Sequence, residues 1–159
     1  MVLFFQLILY LIFFTASIAL VTKDGPIGGI FFYPKPVQER VLELRLTDAR
    51  TIRKRKTVFF IVFMIGVIGL PIIFIGIWSK VTDFRTAFFH ALILLEMMNW
   101  YDGIVVDRVW VGHSKFWIIK GAEDLPYVKS VRKVVAERTI MTLVYVPVSA
   151  FIAWLSIRI

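Results

Sequence analysis

The chain has 159 residues, of which 59% are hydrophobic and 19% are charged, and its formal net charge is +8. Its mean hydropathy of +0.81 excludes an ordinary water-soluble domain and predicts an integral membrane protein. The absence of cysteine excludes disulfides, thiolate nucleophiles and cysteine-ligated metals. In a membrane protein, topology and anionic lipid account for the positive charge, so we expect no nucleic-acid partner.

Four apolar segments are predicted to cross the membrane, and together they form one transmembrane domain over residues 1–159. A spanning helix needs roughly 20 apolar residues. The sequence therefore predicts an all-α integral membrane protein with spans over residues 2–21, 57–79, 84–111 and 139–157. We expect the first segment to be retained, because its apolar run exceeds the roughly 7–15 residues of a signal peptide. In the second segment, Pro71 predicts a kink that frees backbone carbonyls.

Basic residues predict how the chain is oriented. Of the 19 lysines and arginines, only Lys80, Arg85 and Arg158 lie away from two connections, residues 22–56 and 112–138, and the segment ends beside them. Positively charged connections tend to remain in the cytoplasm. Both connections are therefore predicted to be cytoplasmic, and both termini to lie on the opposite side of the cell membrane.

Each cytoplasmic connection is predicted to contain a short amphipathic helix on the membrane surface. The first helix covers residues 36–56 and ends in four consecutive basic residues, 53–56. In the second connection, Asp124 is predicted to cap a helix whose basic stripe is formed by Lys129, Arg132 and Lys133. Basic runs beside a span are typical of topology signals that contact lipid headgroups, so we expect anionic membrane lipids as partners. A specific site for an anionic ligand is the alternative.

The third segment carries the polar residues on which a function can rest. Glu96 lies deep in this segment, where a carboxylate is costly unless it faces protein or water, takes a proton or meets a cation. At about 100° per residue, Asp102 lies at the edge of a polar face formed by Glu96, Asn99, Gly103 and Asp107. The other segments offer Glu96 only neutral partners: Gln6, Tyr10, Thr15, Thr142, Tyr145 and Ser149. The alternative is that Glu96 and Asn99 only join neighbouring helices.

Two parts of the chain resemble a group of small multi-pass bacterial membrane proteins of unassigned function. One part is Tyr33–Arg40 with Leu44–Thr47, and the other is Asp102–Ile119 with Gly121–Leu125. The resemblance covers most of the chain outside the first segment, although in those relatives the positions of Arg45 and Lys120 favour Gly and Pro. It implies a bacterial inner-membrane protein and lends no activity.

Three functions are compatible with these residues. The leading hypothesis is a module that binds a lipid-like amphiphile or a cation from the cytoplasmic leaflet. Its candidate ligand-binding residues are Glu96, Asn99, Asp102, Asp107, Arg108, His113, Glu123 and Asp124. The first alternative is a membrane-embedded enzyme acting on a lipid-like substrate, with His113 or Asp102 as general base and Lys115 holding a phosphate. The second is a structural subunit or scaffold whose polar face meets a partner helix or its own copy.

Known catalytic and metal-binding signatures are missing from the sequence. The two histidines, His90 and His113, are predicted to lie on opposite sides of the membrane. We therefore expect neither a metal ion nor another cofactor.

Overall fold

The computed structural model describes residues 1–159, and the fold is helical throughout, as the sequence predicts. In chain order the α-helices are α1 (Val2–Val21), α2 (Lys35–Glu43), α3 (Ala49–Ile72), α4 (Phe84–Tyr101), α5 (Val111–His113) and α6 (Val131–Ser156). Helix α3 continues as a π-helix over Ile73–Trp78, and a π-helix over Asp102–Trp110 joins α4 to α5. Short 3₁₀ helices occupy Pro26–Phe32 and Lys115–Trp117. The four long helices form an antiparallel bundle.

Three of the helices are long and apolar enough to cross a membrane: α1, α3 with its π-helical extension, and α6. The helical fold is therefore confirmed, and the three apolar helices are compatible with a membrane protein. The predicted total of four such helices is not reproduced, because α4 does not meet the same hydropathy standard. Its apolar residues are interrupted by Arg85, His90 and Glu96. Helix α4 nevertheless packs against the other three long helices, most extensively against α6.

The distribution of polarity fits lipid surroundings better than water. Only 33 of the 159 residues are buried, and the outer faces of the long helices expose large apolar side chains, among them Phe4, Ile12, Ile61, Ile65 and Leu143. The polar side chains of Gln6, Asn99 and Ser149 are instead fully buried between helices. Apolar side chains gain nothing by avoiding a lipid environment, whereas polar groups must find partners inside the protein.

Helices α1 and α3 are joined through hydrogen bonds from side chains of α1 to two backbone carbonyls, one in α3 and one in its π-helical extension. Pro71 has no N–H to donate to the carbonyl of Val67, and the Tyr10 hydroxyl donates to that oxygen at 2.9 Å instead. One turn further, Gln6 Nε2 donates to the carbonyl oxygen of Phe74 at 2.9 Å. The freed carbonyl expected near Pro71 is therefore that of Val67, and α1 satisfies it. The Phe74 carbonyl also accepts from the Ser79 backbone N–H at 2.9 Å.

The first connection differs from its predicted form. The surface helix expected over residues 36–56 is divided, because α2 ends at Glu43 and a new helix begins after Asp48. The Asp48 carboxylate caps α3 by accepting from the Thr51 backbone N–H at 2.9 Å. The basic run 53–56 therefore belongs to the first turns of the long helix α3.

The second connection contains no surface helix. Residues 118–130 are not helical, and Ser130 caps α6 by accepting from the Lys133 backbone N–H at 3.3 Å. The predicted cap at Asp124 is wrong, since its carboxylate forms an ion pair with Arg40 of α2 at 3.4 Å. The second of the two predicted amphipathic helices is thus the beginning of α6.

The two connections contact each other at the basic end of the bundle, the end that carries most lysines and arginines. The Tyr33 hydroxyl donates to the carbonyl oxygen of Trp117 at 2.8 Å, and Arg40 Nη1 donates to that of Gly121 at 3.2 Å. The ring of Tyr33 also packs against Tyr127. These contacts close the bundle beside the polar residues of α4.

Candidate binding site

An arginine from α6 neutralises the acidic face of α4. Because α6 begins at Val131, Arg138 lies about two turns inside the helix, with only 9% of its surface exposed. Its Nη1 lies 2.6 Å from Asp102 Oδ2, and its Nη2 lies 2.8 Å from Asp107 Oδ2. Neutral partners were expected for Glu96 only, and the partner that α6 supplies to Asp102 and Asp107 is a charged one.

Sequence analysis missed Arg138 because hydropathy assigned it to the connection before the last span. The spacing of the buried residues along α6 indicates that Arg138 is buried as well. Val134, Arg138 and Ser149 lie at positions i, i+4 and i+15, and all three are buried. Because this face of α6 buries apolar and small residues, an arginine on the same face also points into the bundle.

The π-helix over Asp102–Trp110 brings the two aspartates to one side. Five residues span about 500° in an α-helix, which would separate Asp102 from Asp107 by about 140°. A π-helix repeats its hydrogen bonds at i→i+5, so residues five apart stack above each other. Gly103 allows α6 to pack closely against this side of the π-helix, because a Cβ at this position would lie 3.0 Å from Arg138 Nε and 3.0 Å from Val134 Cγ1.

The charge cluster extends to the end of the second connection. Lys129 Nζ lies 3.2 Å from Asp107 Oδ2 and 2.9 Å from Glu137 Oε2. Burial lowers the pKa of the Lys129 ammonium, but the hydrogen bond to Glu137 and the charge of Asp107 outweigh burial and raise its pKa. Two cations, Arg138 and Lys129, thus face three carboxylates, Asp102, Asp107 and Glu137, and compensate two of the three negative charges.

Glu96 lies on α4, six residues before Asp102. Its Oε2 accepts a hydrogen bond from Thr142 Oγ1 at 2.9 Å, so one of the predicted neutral partners is confirmed. Asn99 Nδ2 donates to the carbonyl oxygen of Arg138 at 3.0 Å and lies 3.4 Å from Glu96 Oε2. Glu96 Oε1, Asn99 Oδ1 and Arg138 Nε are buried and have no hydrogen-bond partner in the chain. Helix α6 therefore covers the polar face but leaves it with unused hydrogen-bonding capacity.

Two predicted ligand-binding residues, Arg108 in the π-helix and His113 in α5, take no part in the ion pairs of the charge cluster. Arg108 Nη1 donates to the carbonyl oxygen of Lys129 at 3.0 Å and so braces the second connection. His113 is exposed, and its Nδ1 lies 3.1 Å from the carbonyl oxygen of Arg108. Neither of these side chains forms an ion pair with Asp102.

The remaining candidates lie in the second connection. Lys115 is exposed, and Glu123 Oε2 accepts from the Gly121 backbone N–H at 2.7 Å within its own turn. Asp124 pairs with Arg40, as described above. The structure therefore joins Glu96, Asn99, Asp102 and Asp107 through α6, and it leaves His113, Lys115, Glu123 and Asp124 outside the cluster.

A cavity of about 200 Å³ adjoins the charge cluster. Eleven of its 14 lining residues are hydrophobic, including Phe14, Phe59, Phe63, Val106 and Tyr127, and the other three are Asp102, Asp107 and Lys129. Trp117 also lines the cavity, is 2% exposed, and has no hydrogen-bond partner for its Nε1. We call this space the aromatic cavity and its three charged residues the polar corner.

No protein-family model, no curated protein and no solved structure matches this chain. The resemblance to small bacterial membrane proteins stays a prediction. The geometry of the aromatic cavity and its polar corner is consequently the basis for assigning a function.

Proposed function

We propose that the protein binds a small neutral amphiphile in the aromatic cavity. The observation that carries this proposal is the cavity wall, which is apolar except at Asp102, Asp107 and Lys129. Ligand sites commonly combine apolar walls with a few convergent polar groups that orient the ligand. The apolar body of the ligand lies among the aromatic rings, and its polar end lies at the polar corner.

The size and chemistry of the cavity narrow the class of ligand. An apolar cavity of about 150 Å³ accommodates benzene, so about 200 Å³ suits a single ring or one end of a lipid-like chain. The unpartnered Trp117 Nε1 offers a donor for a hydroxyl or carbonyl oxygen. A neutral ligand is favoured over a cation because Arg138 and Lys129 already pair with Asp102 and Asp107.

The aromatic cavity lies within the membrane if α4 crosses it beside the three more apolar helices. Two observations support that topology: contacts at both ends of α4, and an apolar stripe on its exposed side. His90 Nε2 lies 2.7 Å from Gln6 Oε1 of α1, while Arg138 of α6 meets Asp102 toward the opposite end. Helix α4 and the π-helix that follows it also expose an apolar stripe formed by Phe89, Ile93, Met97, Trp100 and Ile104. With the basic end in the cytoplasm, the ligand comes from the cytoplasmic leaflet of the inner membrane, and both termini lie outside.

The enzyme and scaffold alternatives have less support. His113 lies about three turns along the helix from Asp102, and no hydrogen bond links it to that carboxylate. Lys115 is exposed and contacts neither residue. The scaffold hypothesis needs a free polar face, but Thr142 and Arg138 of α6 occupy that face within one chain.

Two adjacent valines allow a matched test. Val106 is 5% exposed and lines the aromatic cavity, whereas Val105 is 37% exposed and is absent from the cavity lining. Native mass spectrometry with monooleoylglycerol as the probe should show an adduct on wild type and on Val105→Phe. The Val106→Phe variant should lose most of that adduct because the new ring fills the cavity.

The two variants must keep similar melting temperatures for this comparison to count. Equal adduct on Val105→Phe and Val106→Phe would place the amphiphile on the general lipid-facing surface and contradict the proposal. The same conclusion would follow if folded wild-type protein formed no adduct.

A further inference from the structure

A second concave region lies on the outer surface between α1 and α3. Its volume is about 700 Å³, and it is open along one side. Leu20 contributes an apolar wall from α1, and Val58 and Val62 contribute one from α3. Lys54 and Arg55 line the same groove at the start of α3. We call this region the α1–α3 groove.

We infer that the α1–α3 groove binds one anionic glycerophospholipid. Both of its helices are apolar enough to cross a membrane, so the groove is continuous with a surface that contacts acyl chains. Lys54 and Arg55 are exposed and form no ion pair within the chain. No carboxylate lines the groove. One acyl chain therefore lies against the apolar walls while the phosphate meets the two cations.

Helical register separates these two cations from the rest of the basic run. Lys54, Val58 and Val62 follow each other at four-residue intervals and therefore share one side of α3. Arg53 and Lys56 are also exposed but do not line the groove. If the basic run acted only as a topology signal, its total charge would matter and the position of each cation would not. A specific headgroup site instead requires the two cations that adjoin the apolar wall of the groove.

The nearest acidic side chain along α3 does not oppose this assignment. Asp48 accepts hydrogen bonds from the backbone N–H and the hydroxyl of Thr51, at 2.9 and 2.6 Å, and so is committed to capping the helix. The inference does not rest on the function proposed for the aromatic cavity. The two sites share Phe59 and Phe63 as wall residues, but their polar groups are different.

The basic run itself provides the matched variants for a test. Wild type, Lys54→Gln/Arg55→Gln and Arg53→Gln/Lys56→Gln would be compared by native mass spectrometry in micelles with equal phosphatidylglycerol and phosphatidylcholine of the same acyl chains. Both double variants remove two charges from the same four residues. We expect the first to lose phosphatidylglycerol adduct by roughly tenfold and the second to stay within about twofold of wild type.

A third variant tests the groove without changing any charge. Ala16 is exposed and lines the α1–α3 groove, so Ala16→Phe fills it without entering the core of the bundle. It should also lose the phosphatidylglycerol adduct while keeping the wild-type melting temperature. Equal losses in the two double variants would contradict the inference, because they would assign binding to diffuse charge. Wild type that retained phosphatidylcholine as well as phosphatidylglycerol, or full retention by folded Ala16→Phe, would also overturn it.

Discussion

The two polar clusters inside the bundle differ in how completely their hydrogen bonds are satisfied. At the end away from the basic connections, Gln6 Nε2 donates to the Phe74 carbonyl oxygen and to Ser79 Oγ, each at 2.9 Å. Gln6 Oε1 lies 2.7 Å from His90 Nε2, so both ends of this buried amide are occupied. The cluster around Arg138 holds more charge, yet three of its buried polar atoms have no partner.

This difference separates a structural contact from a candidate site. A buried polar network whose members are all satisfied stabilises helix packing and has no capacity left for a ligand. Buried groups without partners are costly, and in a native protein they call for an ordered water, an ion or a functional role. The aromatic cavity adjoins the second cluster, where Asp102 and Asp107 line its polar corner.

The largest expected effect comes from removing the arginine of the second cluster. In Arg138→Ala, the carboxylates of Asp102 and Asp107 lose a shared partner at 2.6 and 2.8 Å. Breaking a buried ion pair by removing one partner costs about 3–5 kcal/mol. The free energy of unfolding, measured by denaturant titration in micelles with circular dichroism, should fall by an amount in this range.

Arg132→Ala is the matched control for that measurement, because Arg132 is exposed on the first turn of the same helix. Its unfolding free energy should stay within about 0.5 kcal/mol of wild type. Similar values for the two alanine variants would show that the cluster contributes little to stability, and the contrast between the two polar clusters would fail.

The cluster around Gln6, whose hydrogen bonds are satisfied, should respond differently to the loss of its central side chain. Gln6→Leu removes the bonds to Phe74, Ser79 and His90 but leaves the aromatic cavity intact. Stability should fall by about 1–2 kcal/mol, which reflects the net value of buried hydrogen bonds. Retention of the monooleoylglycerol adduct should match wild type in native mass spectrometry.

A substitution on the lipid-facing side of the same helix controls for general effects on α1. Phe5 is 55% exposed, so Phe5→Leu should change neither stability nor adduct appreciably. Loss of the adduct in Gln6→Leu at unchanged stability would reverse the roles assigned to the two clusters.

The sequence predicted the membrane class and the first helix well, because both depend on uninterrupted hydropathy. Residues 2–21 were expected to be helical, and α1 covers Val2–Val21. The last helix was expected from residue 139, but it begins at Val131 because Ser130 provides the cap and a helix does not end where charge begins. That eight-residue difference concealed Arg138, the central residue of the candidate site.

Two other features of the site depend on tertiary structure that local patterns do not record. Ideal α-helical geometry placed Asp102 at the edge of the polar face, whereas the π-helix aligns it with Asp107. The aromatic cavity combines Phe14, Phe59 and Trp117, which are distant in sequence. Helical periodicity found Asp102 and Asp107, but it could not find the apolar walls that make these two residues part of a cavity.

The smallest expected effect concerns the start of α4, beside the satisfied cluster. The hydrogen bond that Asp83 Oδ1 accepts from the Thr86 backbone N–H, at 2.8 Å, lowers the pKa of the Asp83 carboxyl. Its stabilising contribution is therefore complete above the unfolded value near 3.9 and is lost as pH falls through the lower folded pKa. Asn is also a good N-cap and does not titrate. Between about pH 5 and pH 2, the melting temperature of wild type should consequently fall more steeply than that of Asp83→Asn. Parallel curves would show that this cap does not couple stability to pH.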